Sequence, residues 1–577
     1  MGLFSSLGVG VKALNTSAFA IQTAGHNISN ANTEGYARQR VLFQTENPQT
    51  QSFGYIGQGV SVKSVQRMVD DFLESDLRRE RSTLEGFKVQ RDALARLESM
   101  VNELTDTDLS SGINQFFSAL ESLSQNPSDT AARSTVIEQG NAFAEQIKAL
   151  ALQVNRQRSE LNTSVQAVVT EINSLTTTIA QLNLQILRSE RGDMNYQAND
   201  LRTQRDTLLK QLGDLVSVKV YEQANGTVSV TAGNDFLVLD DTAFALTTSE
   251  SSDRNVIVSD AIFQDSGAPL TLKGGKLAGL VEARDVQLGG FSEDLDTLAQ
   301  TFIFEFNKIH SEGVGLKGYS SLISGEKLTS SSAALSAAGL TYAPRNGSFD
   351  FIVRNEVTGE ARTFNITVDL DGLGSDTSLS DPALPNNGLV QKINAAVGVL
   401  FPAVSARATT DNRLEITSDS ANYTFAFGND TSDILAAMRI NTFFSGKGAL
   451  DMAVSDAVAD DPARLAGARS FNPADNTNVL SMIGLRDGKF LSNGASSFGE
   501  YYEGVISVLG VQAAAMESMA GNQEDVVEFL SQEREQFSGV NIDEEVAVMI
   551  TLQRAYQGAA RYIAIVDNLL DVLINNT

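Results

Sequence analysis

Catalytic and metal sites in proteins draw mainly on imidazole, thiolate and converging carboxylates, and this chain is poor in the first two. Its 577 residues include two histidines, His26 and His310, and no cysteine. A cysteine nucleophile, a thiolate metal site and a disulfide framework are excluded. A Ser-His-Asp arrangement would have only two candidate bases. Gly313-Val-Gly315-Leu-Lys-Gly318 has the glycine spacing of a dinucleotide loop. That loop follows a strand and opens a helix, whereas a helical pattern precedes this one. Asp369-Leu-Asp371-Gly-Leu-Gly374 begins like a calcium loop, but Leu373 stands at its fifth position and Ser380 at its twelfth, where a bidentate Glu belongs. Asp543, Glu544 and Glu545 are paired acids. Glycoside hydrolysis needs two carboxylates facing across a cleft, and consecutive acids at a helix start suit the helix dipole better. The residues therefore predict no enzyme, no cofactor and no metal.

The acids at 543–545 open a stretch that matters for another reason. Asn541 or Asp543 can cap a helix there. Beyond them Met549, Leu552, Tyr556, Ala559, Ile563, Val566, Leu570 and Leu573 recur at alternating spacings of three and four. Near the other end Phe4, Leu7, Val11, Leu14, Ala18, Ile21, Gly25 and Ile28 follow the same rule. Each is a heptad seam that needs a helix to cover it. The two seams predict that the ends of the chain pair as a coiled coil, with the rest inserted between them. With seams this thin, the termini are expected to be disordered in the monomer and to fold only when neighbouring copies cover them.

The formal charge is −28 and apolar residues make up 42%. The chain is long enough for three or four domains. Its acidity argues against nucleic acid and anionic membranes as partners. The reading finds no apolar run of membrane-spanning length. The opening MGLFSSLGVGVKAL has no basic segment ahead of a continuous apolar core, so a cleaved signal peptide is not expected.

After the first seam, Ser29 to Val41 reads as a tight loop, with Asn30, Asn32 and Gly35 suited to left-handed backbone. Residues 41–65 read as an extended arm. A helical stripe then runs from about Gln66 through Met68, Phe72, Leu84, Phe87, Leu94, Leu97, Val101 and Leu104. A short helix at Gly112–Leu123 and a very long one from Asp129 or Thr130 to about Arg191 follow, which suggests a rod-shaped bundle. From Leu215 the period changes to two, and Asn225-Gly226 marks a hairpin. Helix returns from Gly275 to about His310. A second β region spans Ser348–Phe427, broken by a helix near Leu389–Val399 and a surface loop at Leu370–Gly388. Helix resumes from Phe498. The fold class expected is α+β and multidomain: terminal coiled-coil helices, a long antiparallel helical bundle and two inserted, mainly antiparallel β domains. The expected division is 1–66 with 540–577 (terminal coiled coil), 67–213 with 274–312 and 475–539 (helical rod), 214–273 with 313–345 and 440–474 (inner β domain), and 346–439 (outer β domain).

Asn30-Ala31-Asn32-Thr33-Glu34-Gly35-Tyr36 resembles the signature near the start of bacterial flagellar rod, hook and hook-associated proteins. The block Gly539-Val-Asn541-Ile-Asp543-Glu544-Glu545, followed by Gln553-Arg-Ala-Tyr556, resembles the closing signature of the junction proteins of that axial family. The resemblance implies a structural subunit at the hook–filament junction, serving as the base for filament assembly. Its implied partners are copies of itself in a ring or helical layer, hook protein below, and a second junction protein and the filament above. An export chaperone is implied as well. The implied location is the extracellular flagellum, reached through the flagellar secretion apparatus, with no nucleic acid bound and no membrane insertion. The alternatives are another axial subunit of filament or hook type, or a secreted adhesin acting through the outer β domain.

Overall fold

The computed structural model describes residues 3–51, 54–102, 108–190, 197–373, 376–383 and 386–575. Leu104, Arg191 and Gly374, named above, lie outside these residues. The chain forms two compact units: Met1–Leu94, Arg158–Val286 and Ala513–Thr577 in the first, and Ala95–Gln157 and Gln287–Gln512 in the second. Thus residues 214–273 fall in the first unit, and 313–345 and 440–474 in the second. The helices Asp71–Asn102, Thr130–Glu190 and Phe498–Ser538 contribute residues to both.

In the first unit, the helix Leu3–Ser29 packs against Ile542–Asn575. The pair is antiparallel: a Cβ on Gly10 would meet Ile563, and Asn27 bonds Glu545. The arm between residues 39 and 67 is an antiparallel pair, Gln39–Thr45 with Val60–Arg67, with a bulge at Leu42/Phe43. The following helix starts at Asp71, not at Gln66, because Gln66 and Arg67 complete the strand. The Asp70 carboxylate accepts from the Phe72 and Leu73 amides (3.0 and 3.2 Å), which caps the helix start. A four-stranded meander, Lys219–Glu222, Val228–Ala232, Asp235–Leu239 and Thr242–Ala243, lies beside the hairpin Leu246–Asp253/Val256–Phe263. Gly226 takes the positive φ of 84° that the Asn225-Gly226 turn requires. Val165, Val168, Ile172 and Ile179 of the 61-residue helix share a core with Leu209, Leu212, Val230 and Val238.

The second unit is built on phenylalanine. Phe116, Phe302, Phe306, Phe443 and Phe444 form one cluster, with ring centroids 5.2–5.6 Å from Phe116 to Phe306, Phe443 and Phe444. Helix Leu109–Gln125 delivers Phe116 to it, capped by Asp108, whose carboxylate accepts from the Ser111 amide at 2.6 Å. The helical stretch 275–311 is broken by one π-helical turn at Ala283–Gln287, which the periodicity did not reveal. Among the described residues the unit also holds a short pair, Phe444–Ser445 with Ala453–Val454, and two three-stranded antiparallel sheets. One has the order Ala361–Val368, Gly347–Asn355, Tyr423–Gly428, and the other Ser321–Ile323, Leu414–Ser418, Val404–Ala408. Leu389, Ile393 and Val397 of the helix Leu389–Val397 fill the core with Phe349, Phe351, Phe425 and Phe427.

Phe116 is fully enclosed and touches other aromatic rings on several sides. Phe116→Ala is expected to lower stability by about 3–5 kcal/mol, read as an earlier urea transition by circular dichroism.

Candidate assembly site at the paired ends

The residue types at the two ends explain how they meet. In the helix Leu3–Ser29 the buried residues are Gly10, Thr16, Ser17, Ala20, Ala24 and Asn27. The face turned into the pair is therefore small and lies one residue back from the seam counted on larger side chains. Phe4 and Val11 of that seam are exposed, at 77% and 42%, while Leu7, Leu14, Ile21 and Ile28 are half-buried. In Ile542–Asn575 the positions with least exposure include Glu545, Met549, Leu552, Ala559, Ile563, Val566 and Leu570, whereas Tyr556 and Leu573 are exposed. Small residues on one helix let the larger side chains of the other approach closely. At Gly10 the approach is so close that a Cβ would lie 2.7 Å from Ile563 Cγ1.

The loop of the first motif is folded by its own side chains. The Asn30 side-chain amide donates to the His26 carbonyl (3.0 Å), and the Asn30 carbonyl accepts from the Thr33 amide (2.9 Å). Gly35 has φ 77°, and its carbonyl accepts from Arg534 (3.1 Å). Ala31 is half-buried and Asn32 exposed. Tyr36 is buried and donates its hydroxyl to Asn27 Oδ1 (2.9 Å). Burial, with the nearby charges of Asp200 and Glu545, pushes that phenol up to about 12.

Asn27 is the hub. Its Oδ1 also accepts from the Gln39 amide (2.9 Å), and its Nδ2 donates to the Gln39 carbonyl (2.9 Å) and to Glu545 Oε2 (3.2 Å). Arg38 Nε meets Glu545 Oε1 at 2.6 Å, and Arg38 Nη1 meets Glu544 at 3.1 Å. The Arg38 amide donates to the Ser538 carbonyl (2.8 Å). Asn541 caps the last helix, accepting from the amides of Asp543 (3.0 Å) and Glu544 (3.3 Å). Gly539 ends the preceding helix, with its amide on the Glu535 carbonyl at 2.9 Å. The acids at 543–545 thus sit at a helix start, and Glu545 is committed to Asn27 and Arg38.

The last helix leaves much apolar surface uncovered: Val546, Val548, Ile550, Tyr562, Ile565, Leu569, Val572 and Ile574 are all exposed. By length and composition, a window within Phe498–Ile574 even reaches the hydropathy of a membrane span, with 11% of it buried. The sequence reading had found no run of that length. The stretch is two helices, Phe498–Ser538 and Ile542–Asn575; in the second the acids stand at 543–545, 567 and 571, and residues 546–566 carry only Arg554 and Arg561 as charges.

The other candidates resolve into packing. Gly313 and Gly315 let the backbone lie against residues 463–468: the Val314 and Leu316 amides donate to Ala468 and Ala463 carbonyls at 2.7 Å each. Asp369, Asp371 and Asp376 lie together. Asp371 and Asp376 accept from the loop amides of Leu373 and Gly372 (2.8 and 3.0 Å). His26 is partly exposed beside Asp200 at 3.3 Å. His310 is fully buried, donating Nδ1–H to the Asn441 carbonyl (2.8 Å) and accepting the Ala466 amide at Nε2 (3.0 Å). Arginines in helices usually lie on solvated faces. Instead Arg133, Arg158, Arg202, Arg205 and Arg284 are buried. Arg202 pairs with Glu190 (2.7 Å) and Arg284 reaches Asn162 (2.8 Å) and the Ser259 carbonyl (2.9 Å). Partners 12 to 122 positions away in the chain gave no local signal for this.

Residues 94–322 match the family model described as the flagellar hook-associated protein FlgK helical domain, and residues 531–576 match that described as the flagellar basal body rod FlgEFG protein C-terminal. The chain is 26% identical to flagellar hook-associated protein 1 of Escherichia coli (strain K12), covering 98% of each. It is 27% identical to the protein of the same name from Bacillus subtilis (strain 168), covering 99% of this chain and 98% of the relative. The structure of the flagellar hook junction protein FlgK from Burkholderia pseudomallei shares the fold, with a TM-score of 0.50, 18% identity, and coverage of 80% of this chain and 100% of that one. Helical ends that pair with each other, long helices and inserted antiparallel sheets are thus found in a chain whose matches are to flagellar axial proteins. Along nearly its whole length the chain is similar to flagellar hook-associated protein 1 of Escherichia coli and Bacillus subtilis, and residues 94–322 match the helical domain of that protein's family model.

Burial and the neighbouring Arg133 charge lower the His310 pKa from 6.5 to about 4, against the Asn441 hydrogen bond. The unfolded chain therefore takes up this proton first as pH falls. The contribution of a neutral His310 is complete above pH 6.5 and is lost between pH 6.5 and 4, a difference of about 3 kcal/mol. His310→Asn is expected to remove that part of the slope when urea midpoints are compared across this range.

Proposed function

We propose that the protein is the structural subunit that joins hook to filament in the bacterial flagellum and forms the base on which the filament assembles. Its similarity to hook-associated protein 1 along nearly the whole of both chains carries this reading. The uncovered apolar face of the last helix supports it, because a soluble acidic chain that keeps Ile565, Leu569 and Val572 in water needs neighbours to bury them. Those neighbours are copies of itself in a ring or helical layer, hook protein on one side, and a second junction protein and the filament on the other. Contacts repeated head to tail between copies close into rings or continue as helices. The paired ends, residues 1–66 with 540–577, are the assembly part. Their seam residues, Phe4 to Ile28 and Met549 to Leu573, serve both the pair and the contacts between copies, which complete their order. The helical residues form the rod domain, into which the β regions 214–273 with 313–345 and 440–474, and 346–439, are inserted. The protein acts without catalysis, cofactor or metal. It reaches the extracellular flagellum through the flagellar secretion apparatus, escorted by an export chaperone.

Cells lacking the gene are expected to carry hooks without filaments and to lose flagellin into the medium, seen by electron microscopy and on a gel of spent medium. Intact filaments in those cells would reject the junction role. Binding of isolated residues 348–430 to host surfaces would favour an adhesin instead.

A further inference from the structure

The helix pair at the chain ends has a register problem that its apolar residues do not solve. The last helix presents knobs at regular three-four spacing, so sliding it by seven residues replaces each knob with another. The face that receives them is nearly uniform: Gly10, Ala13, Ser17, Ala20 and Ala24 are all small. A stripe of this kind accepts several alignments with similar apolar burial.

Two features distinguish one alignment. Gly10 lies under Ile563 and Tyr562 with no room for a Cβ. Seventeen residues further along, Asn27 and Glu545 meet across the pair, 1% and 3% exposed. We infer that the buried Asn27–Glu545 contact, held by Arg38, is the register lock of the terminal helix pair. The four polar bonds of Asn27 and the ion pair of Glu545 are satisfied together only in this alignment. Advancing the last helix by seven would set Leu552 against Asn27 and leave Glu545 without its partners. A buried polar group left unpaired disfavours that arrangement by roughly tenfold to a hundredfold. The bonds between the Asn27 side chain and the Gln39 backbone, and the backbone bond from the Arg38 amide to the Ser538 carbonyl, fix both halves of the lock to the same loop. The lock therefore positions the ends and does not merely add stability. This inference stands whether or not the junction reading holds.

The chain has no native cysteine, so disulfide trapping in the full-length protein reads the register directly. Ala20 and Leu552 line one cleft, and Ala20→Cys with Leu552→Cys reports the observed register. Ala20→Cys with Ala559→Cys reports the register slipped by seven. With Asn27 and Glu545 intact, the first pair is expected to close at least about tenfold more than the second. In the Asn27→Leu, Glu545→Leu background the two yields are expected to become comparable while helix content is retained. Glu545→Gln, which keeps an acceptor for Asn27, is expected to restore most of the preference. If the leucine pair does not fold, Glu545→Ala alone carries the same comparison. An unchanged preference for the Ala20–Leu552 pair in these variants would overturn the inference, because it would place the register in the apolar contacts.

Discussion

The pairing of the two chain ends depends on one buried amide. Asn27, on the first helix, sits where the loop after it, the strand Gln39–Thr45 and the start of the last helix converge, and its side chain is hydrogen-bonded to each of these three. An enclosed amide of this kind tolerates few rearrangements, since moving any partner leaves a polar group unpaired in a dry site. Glu545 adds charge to the same point. Its cost of burial is offset by Arg38 at 2.6 Å, which in turn holds the loop to Ser538. The acidic run after Gly539 therefore does more than complement a helix dipole. Glu544 and Glu545 bind the loop, while Asn541 performs the capping.

The ends were legible in the sequence because they repeat a simple period. The three-four spacing from Met549 to Leu570 falls on the less exposed side of the last helix. On the first helix the same method weighted Phe4 and Val11, which point to solvent, over Gly10, Ser17, Ala20 and Ala24. Size was the wrong criterion there, because the inner face is chosen for closeness of approach. Strand and turn signals were strong where a glycine needed positive φ, as at Gly226. They were weak in Val404–Ala408, where Ala and Ser alternate with little apolar contrast. The buried arginines could not be read at all. A guanidinium is placed by its acceptors; those of Arg158 come from distant parts of the chain, as do Asn162 and the Ser259 carbonyl for Arg284, beside the adjacent Asp285.

The two units answer the loss of bulk water differently. The second is held by aromatic packing around Phe116 and Phe302, with His310 and Arg133 taking up backbone carbonyls in its interior. The first relies more on polar networks, with Arg202 shared between Glu190 and Glu222, and Arg284 on Asn162 and Asp260. Such networks add directional specificity at little net gain in stability. They suit a part of the molecule whose geometry matters more than its resistance to unfolding.

The bare outer face of the last helix also bears on how many copies stay together. In a closed ring of identical subunits, an incoming copy at the edge of an arc covers apolar surface on one flank only, while the copy that fills the last gap covers two. Open arcs then shed subunits from their edges, and completed circles hold them. With repulsion from a −28 chain acting against every encounter, incomplete arcs are disfavoured further. Completion of the circle, more than the strength of any single contact, would then determine how long a layer lasts.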